Sequence, residues 1–221
     1  FWNPDIEDRL SIPVQTTIHA WQKQVLPKTL IHEAIESNEP MTFYGSSAIE
    51  AKREDQFKKY TYPIAKEEGG TEIHMIWTDT PCRTTCWNHG NATELALRNP
   101  KIEFILTQHP WMENDTLFSD IILPSNTHME VGDIVSSIRG GTSIPNLALC
   151  DQAIEPVGES KSNFEVVLEI AKKLGMEERL TGGFSDEDMK KKMFGYMNLD
   201  KLTTWEDFRE KKYHLYSVAD N

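Results

Sequence analysis

Cysteine is scarce in this chain, which has only Cys82, Cys86 and Cys150 among its 221 residues. An odd and sparse set does not build a disulfide framework, so we expect reduced thiols and a cytoplasmic location. Long apolar runs are also missing, so a membrane-spanning role is not expected. The sequence opens without an initiator Met or a signal-peptide pattern, and we therefore expect it to be part of a larger protein.

Basic residues are fewer than acidic residues in this chain. The chain has 23 Lys and Arg against 35 Asp and Glu, a net charge of -12. Phosphate groups and anionic lipid surfaces would be repelled, so neither nucleic acid nor a membrane is expected as a partner. The hydrophobic content of 38% and charged content of 26% are typical of a globular protein with a buried core.

Residues 1–70 are predicted to form an irregular and helical leading region. Apolar residues recur at helical spacing between 20 and 38, although Pro27 breaks the pattern. MTFYG, at 41–45, predicts a short strand. The charged stretch at 48–60 predicts a surface helix, and a Gly pair then marks a boundary near residue 70.

From residue 71 the pattern changes to alternating strands and helices. Strands are predicted at 72–77, 101–107 and 121–124, and a helix at 91–99. Short connections between them predict an α/β fold with a mostly parallel sheet and flanking helices.

The clearest helix is predicted at 162–176, where Ser162 and Glu165 form a capping box and Gly175 ends the helix. We expect its apolar face to pack on the sheet through Phe164, Val167, Leu168, Ala171 and Leu174. The tail at 181–221 predicts short amphipathic helices, with segments 185–197 and 203–213 each starting at a cap residue.

A polar loop with two cysteines follows the strand predicted at 72–77. Cys82, Cys86 and His89 have half of the spacing of a zinc site, so a small zinc-stabilised domain is one alternative. Ligands of open parallel sheets bind outside the carboxyl ends of the strands, and this loop offers hydroxyls, amides and a guanidinium to a nucleotide. No GxGxxG or Walker pattern is present, so a stand-alone nucleotide- or effector-binding α/β module is a second alternative.

Three segments that follow resemble the molybdopterin oxidoreductase family of the dimethyl sulfoxide reductase type. HPWMENDTLFSDIILP, at 109–124, is similar to the family's Asp-Pro-Phe-Met-Thr entry and its Ala-Asp-Ile-Val-Leu-Pro core. Thr127 and Glu130 follow in step with the family's Thr-rich loop. Residues 155–175 resemble its Pro-x-Gly-Glu-x-Lys segment and the helix after it. The resemblance therefore spans at least residues 71–176.

The resemblance implies a Rossmann-like, dinucleotide-cofactor-binding domain of a larger subunit, with a core at 71–180 and a helical tail at 181–221. Such a domain holds one of two molybdopterin guanine dinucleotides, which carry molybdenum or tungsten. The metal ligand is not expected on this segment, so no catalytic or metal-ligating residue is assigned. The expected cofactor contacts are Thr78, Asp79, Thr80, Arg83, Gln108, His109, Trp111, Glu113, Thr127 and His128.

The chain departs from the family pattern at two of its cofactor loops. The family's Gly-x-Asn-Pro after the first strand is matched only at Pro81, although hydroxyls on the substituted residues can still donate hydrogen bonds. The guanine-reading Asp of the family corresponds to His109. A neutral imidazole has one acceptor, so we expect Gln108 or Glu113 to accept from guanine instead.

Two further residues are open to a structural interpretation. Arg83 suits either a bound pyrophosphate or carboxylate, or an ion pair on the surface of this acidic protein. Asp120 is expected to hydrogen-bond turn N–H groups rather than a ligand.

Within the family, residues 77–91 and 107–120 resemble members that move a hydroxyl group between polyphenols without net redox change. The resemblance implies three partners: the rest of the large subunit, an iron–sulfur small subunit and a small aromatic substrate. Another molybdenum or tungsten oxidoreductase, or a hydratase of the same family, remains an alternative.

Overall fold

The fold is known from a computed structural model that describes residues 24–45, 58–136, 146–196 and 199–215. The chain forms two compact units, Val14–Ser125 and a second made of Phe1–Pro13 with Asn126–Asn221. Each unit has its own sheets and its own hydrophobic core. The division predicted at residues 70 and 180 stays a prediction.

The first unit begins with a short helix and a two-stranded antiparallel sheet. A 3-10 turn at Lys28–Leu30 leads into α1 (Ile31–Glu36), and Pro27 before it is extended, so the predicted break at this proline is confirmed. The part of that predicted helix at 20–23 lies outside the described residues. The strand predicted at 41–45 is confirmed as β1 (Met41–Gly45), which pairs with β2 (Lys58–Tyr62).

The strand β2 corrects the surface helix predicted at 48–60, because Lys58 to Tyr60 are extended. Tyr60 pairs with Phe43 across the two strands, and their rings stack with centroids 5.4 Å apart. Cross-strand aromatic packing of this kind stabilises a sheet and outweighs the helix preference of the lysines. Residues 48–57 of the predicted helix lie outside the described ranges.

A three-stranded parallel sheet dominates the first unit. Its strands are β3 (Met75–Thr78), β4 (Phe104–His109) and β5 (Ile121–Pro124), in the order β3-β4-β5. Between β3 and β4 lie α2 (Arg83–Cys86) and α3 (Gly90–Leu97). Further 3-10 turns lie at Lys66–Glu68 and Asn114–Phe118. The predicted α/β arrangement with a parallel sheet and flanking helices is confirmed for this unit.

The core of the first unit lies between one face of the parallel sheet and helices α1 and α3. It consists of the buried side chains Ile35, Ile76, Ala96, Leu97 and Ile105. Burial alternates along β3, where Ile76 is buried while Met75 and Trp77 are exposed. This alternation fixes which face of the strand meets the helices, because successive side chains of a strand point to opposite faces.

The second unit contains an antiparallel sheet that sequence reasoning did not predict. Its strands are β6 (Asp133–Ser136), β7 (Asn146–Cys150) and β8 (Tyr213–Leu215), in the order β6-β7-β8. Strand β8 comes from the tail that was predicted to be helical only. The pairing of β7 with β8 joins residues more than sixty positions apart, so no local pattern reveals it.

Four helices complete the described part of the second unit: α4 (Asn163–Lys173), α5 (Glu177–Thr181), α6 (Asp186–Tyr196) and α7 (Trp205–Lys211). A 3-10 turn lies at Leu199–Lys201. The predicted capping box of α4 is present, with the Glu165 amide donating to Ser162 Oγ. Ser185 caps α6 in the same way, as predicted, whereas α7 is capped by Thr204, one residue after the predicted cap at 203.

The apolar face predicted for α4 differs from the observed one at two positions. Leu174 is 67% exposed, whereas Val166 is buried although it was not assigned to that face. Leu174 is the C-cap, at the exposed end of the helix. None of the helices in the described ranges is both long and apolar enough to cross a bilayer.

The core of the second unit is an aromatic cluster contributed by the tail helices. Phe194, Trp205 and Phe208 pack with ring centroids 5.4 to 6.2 Å apart. Leu147 of β7 and Leu199 are fully buried in the same cluster. The cluster therefore attaches the tail to the antiparallel sheet.

A buried carboxylate organises the loop between the parallel sheet and β6. Glu130 is 5% exposed and accepts hydrogen bonds from the amide and hydroxyl of Thr127, both at 2.7 Å. The amide of Val157 donates to its other oxygen at 2.6 Å. The bond from the Thr127 amide, followed by those from the Thr127 hydroxyl and the Val157 amide, lowers the pKa of Glu130 below its ordinary value.

We expect Phe208→Ala to lower the free energy of unfolding by about 3–5 kcal/mol, because it leaves a cavity in the aromatic cluster. Chemical unfolding followed by tryptophan fluorescence measures this, since Trp205 contacts the substituted ring. The control is Phe184→Ala, at a ring that is 43% exposed, with an expected loss of about 1 kcal/mol. Equal losses for the two variants would contradict the assigned core.

Lowering the pH should destabilise the fold through Glu130. Its pKa is depressed in the folded state, so its contribution is complete above the unfolded-state pKa and disappears as the pH falls through the folded-state value. Urea unfolding between about pH 6 and about pH 3 measures the loss. In Glu130→Gln this part of the pH dependence should vanish, whereas Glu159→Gln, at an exposed position, should keep it.

Candidate functional site

The strands of the parallel sheet end at one edge, and the polar loops predicted to bind a ligand start there. Thr78 pairs with Thr107, and His109 pairs with Pro124, so β4 extends two residues beyond the end of β3. The loops at 79–90 and 110–120 leave this edge. The edge therefore brings together eight of the ten predicted contacts: Thr78, Asp79, Thr80, Arg83, Gln108, His109, Trp111 and Glu113.

The first residues after β3 divide into a structural and an exposed group. Thr78 is 5% exposed, and its Oγ1 accepts a hydrogen bond from the Thr80 amide at 3.2 Å. This bond shapes the turn that leaves the strand. Asp79 and Thr80 are exposed, and the Thr80 hydroxyl donates to Asp79 Oδ1 at 3.2 Å. The turn thus presents a carboxylate and a hydroxyl side by side.

Arg83 lies near a buried carboxylate that sequence reasoning did not identify as part of the site. Asp115 is 3% exposed and accepts hydrogen bonds from the amides of Arg83 and Thr84 at 2.7 and 3.0 Å. One guanidinium nitrogen of Arg83 lies 4.0 Å from the same carboxylate. Arg83 therefore forms an ion pair, but with a buried carboxylate rather than the surface partner that was expected. In the sequence, the one feature that pointed to Asp115 was its position as an acidic residue in the loop after β4.

Gln108 is held inside the protein by an indole. It is 4% exposed, and its Oε1 accepts a hydrogen bond from Trp77 Nε1 at 2.8 Å. The bond fixes the orientation of the amide group, because an indole N–H can only donate. Its oxygen was the atom expected to accept from guanine; that role stays a prediction.

The loop after β4 turns sharply and exposes a second indole. The Trp111 amide lies 3.3 Å from His109 Nδ1, which also lies 3.1 Å from the Trp111 carbonyl oxygen. The His109 ring is thereby tied to the backbone of the loop. Trp111 itself is 64% exposed, and Glu113, two residues further along the chain, is half-buried. This loop therefore offers an aromatic face and a carboxylate at the strand ends.

Asp120 has the structural role that was predicted for it. Its Oδ2 accepts from the Ile105 amide at 2.7 Å, and its own amide donates to the Ile105 carbonyl at 2.9 Å. The partner is the second residue of β4 rather than a turn. The two bonds fix the start of β5 beside β4.

The two cysteines of the first loop are neighbours in space. A hydrogen bond with Cys86 raises the pKa of the Cys82 thiol, and burial adds to the effect. Both are free thiols, and the His89 ring lies 5.6 Å from that of His32. Across the described ranges, no three or more His, Cys, Asp or Glu side chains form a group that could hold a metal ion.

Thr127 and His128 belong to the second unit. The Thr127 amide and hydroxyl both donate to Glu130, so this residue shapes its own loop. His128 is exposed and lines an open cleft of about 1240 Å³, together with Phe164 of α4 and Met189 of α6. The predicted contacts thus fall into two groups, one in each unit.

The chain is similar to known proteins along most of its length. It is 28% identical over 224 residues to the pyrogallol hydroxytransferase large subunit of Pelobacter acidigallici, covering 97% of this chain and 25% of that protein. It is also 28% identical over 150 residues to a dimethyl sulfoxide reductase of Escherichia coli, covering 66% of this chain and 18% of that protein. The chain thus spans at most a quarter of the length of these two relatives.

Among solved structures, acetylene hydratase from Pelobacter acetylenicus matches with a TM-score of 0.43 and 17% sequence identity. The match covers 58% of this chain and 16% of that one.

A family model described as molybdopterin oxidoreductase matches residues 56–173. The matched region is more than half of the chain and includes all three parallel strands with α2, α3 and α4. The chain therefore belongs to the molybdopterin oxidoreductase family.

Proposed function

We propose that this chain is the Rossmann-like, cofactor-binding part of a molybdenum- or tungsten-dependent enzyme. Its site is the carboxyl edge of β3, β4 and β5, where it binds the nucleotide end of a molybdopterin guanine dinucleotide. The family match over the whole parallel sheet carries this proposal. The position of the polar loops supports it, because ligands of open α/β sheets bind outside the carboxyl ends of the strands.

The side chains at this edge fit the nucleoside end of such a cofactor. Asp79 and Glu113 are carboxylates that can accept from the N–H groups of guanine or the hydroxyls of ribose. Trp111 supplies an exposed ring on which a base can stack. Thr80 adds a hydroxyl beside Asp79.

The pyrophosphate has fewer partners in these two loops. Arg83 is the one Lys or Arg in the sequence of 79–90 and 110–120, and it already faces Asp115. The amides of Thr80, Arg83 and Thr84 donate to protein oxygens. These loops are therefore assigned to the base and sugar, and Thr127 and His128 are further proposed contacts of the cofactor.

For the whole enzyme we propose transfer of a hydroxyl group between polyphenols, from pyrogallol toward phloroglucinol. The similarity to a pyrogallol hydroxytransferase large subunit over 97% of the chain supports this reaction. The pterin and its metal supply the chemistry when bound, and this chain holds and orients them. The proposed partners are the rest of the large subunit, an iron–sulfur small subunit and a small aromatic substrate, in the cytoplasm.

A second candidate is another molybdenum or tungsten oxidoreductase, or a hydratase, of the same family. The similarity to a dimethyl sulfoxide reductase supports it, since that match covers 66% of the chain. The substrate distinguishes the two, and the cofactor proposed for this chain is the same in both.

Elemental and nucleotide analysis of the intact native protein tests the proposed cofactor. We expect molybdenum or tungsten, together with a guanine nucleotide released by acid hydrolysis. A nucleotide without either metal would indicate a stand-alone nucleotide-binding module instead. Stoichiometric zinc that is lost together with the fold on chelation would indicate a zinc-stabilised domain.

We expect Trp111→Ala to reduce retention of the guanine dinucleotide by roughly ten- to a hundredfold, because stacking of a base on an aromatic ring contributes about 1–3 kcal/mol. Guanine released per mole of protein after gel filtration measures retention. Trp87→Ala is the matched control, since Trp87 is also partly exposed but contacts Lys28 instead. If the two variants retain equal amounts, Trp111 does not stack on the cofactor.

A further inference from the structure

Asp115 accepts three hydrogen bonds from the loop that follows β3. Its Oδ2 accepts from the Arg83 amide at 2.7 Å, and its Oδ1 accepts from the Thr84 amide at 3.0 Å and the Thr84 hydroxyl at 2.5 Å. In the other direction, the Asp115 amide donates to the Pro81 carbonyl oxygen at 3.2 Å. A carboxylate that is 3% exposed requires such donors, because an unpaired buried charge is strongly unfavourable.

These bonds connect the two loops that leave the carboxyl edge of the sheet. Arg83 and Thr84 follow β3, whereas Asp115 follows β4, and the partners are 31 and 32 residues apart. The bonds lie outside the ladder of the parallel sheet, so the register of the strands does not supply them. Without the Asp115 carboxylate, the loop after β3 would lose three hydrogen bonds to the loop after β4 and keep only the backbone bond to Pro81 from this set.

The same carboxylate occupies the place where an external anion would otherwise meet this loop. The amides of Arg83 and Thr84 begin the short helix α2, and both donate to Asp115. The guanidinium of Arg83 is 23% exposed and lies 4.0 Å from the Asp115 carboxylate. The negative charge of Asp115 attracts the guanidinium toward the protein. A ligand at this edge therefore meets the outward side chains Asp79 and Thr80 rather than these amides.

We propose that Asp115 is a positioning residue that fixes the loop at 79–86 against the loop at 110–118. In doing so it sets the spacing between Asp79 and Thr80 on one side and Trp111 and Glu113 on the other. That spacing determines whether both loops can contact one nucleoside at once. The functional part of this inference rests on the proposed function, whereas the contact between the loops does not.

Amide hydrogen exchange in the intact protein tests the contact directly. In Asp115→Asn one oxygen is replaced by an NH2 group, which cannot accept from an amide, and the negative charge is lost. We expect exchange in a peptide containing Arg83 and Thr84 to become roughly ten- to a hundredfold faster. Exchange in a peptide containing β4 should stay unchanged, which separates a local effect from general unfolding.

Thr84 provides a milder pair of variants for the case in which Asp115→Asn does not fold. Thr84→Val removes only the hydroxyl donor and should accelerate exchange by a smaller factor. Thr84→Ser keeps that donor and should restore the wild-type rate. The charge control is Asp200→Asn, at an exposed position of the second unit, for which no change is expected.

Guanine nucleotide released by acid hydrolysis from the same preparations tests the functional part. We expect Asp115→Asn and Thr84→Val to retain less nucleotide than the wild type, and Thr84→Ser to retain as much. Unchanged exchange at Arg83 and Thr84 in Asp115→Asn and Thr84→Val would overturn the contact. Faster exchange with unchanged nucleotide retention would overturn the positioning role. A wild-type protein that releases no guanine nucleotide overturns the proposed function, and that result is distinct because it appears before any substitution is made.

Discussion

The hydrogen-bonded register of the three parallel strands is the constraint on which the candidate site depends. Because β3, β4 and β5 run in the same direction, their carboxyl ends and the loops that follow lie at one edge. The register is maintained by the core on one face of the sheet, where Ile76 and Ile105 pack with Ile35. A slip of one residue in either strand would turn these side chains to the opposite face.

Three acidic residues stabilise loops and strand ends by accepting hydrogen bonds from backbone amides, two of them in the first unit and Glu130 in the second. Asp120 binds the amide of Ile105 in β4, Asp115 binds the amides at the start of α2, and Glu130 binds those of Thr127 and Val157. Each joins segments that are distant in sequence or fixes a loop. In a chain with a net charge of -12, part of the acidic surplus thus has a structural role. The exposed carboxylate of Asp79 remains directed toward solvent.

Short-range sequence patterns correctly predicted the elements that depend on neighbouring residues. The capping boxes and cap residues of the helices, the break at Pro27 and the strand at 121–124 all depend on residues within one turn or one strand. Two of the strands that sequence reasoning missed depend on partners elsewhere in the chain. Strand β2 at 58–62 is stabilised by β1, and β8 is stabilised by β7, so their own residues did not indicate them.

The candidate site shows the same division between local and distant information. The sequence by itself determined the family, the order of the three parallel strands with helix α3 between the first two, and helix α4. Those properties follow from residue order, which segments such as SDIILP carry directly. Only the tertiary structure decided that Thr78 and Gln108 are buried and hydrogen-bonded inside the protein, and that Asp115 joins the two loops. Burial and pairing depend on which distant segments meet when the chain folds, and local sequence patterns do not indicate those contacts.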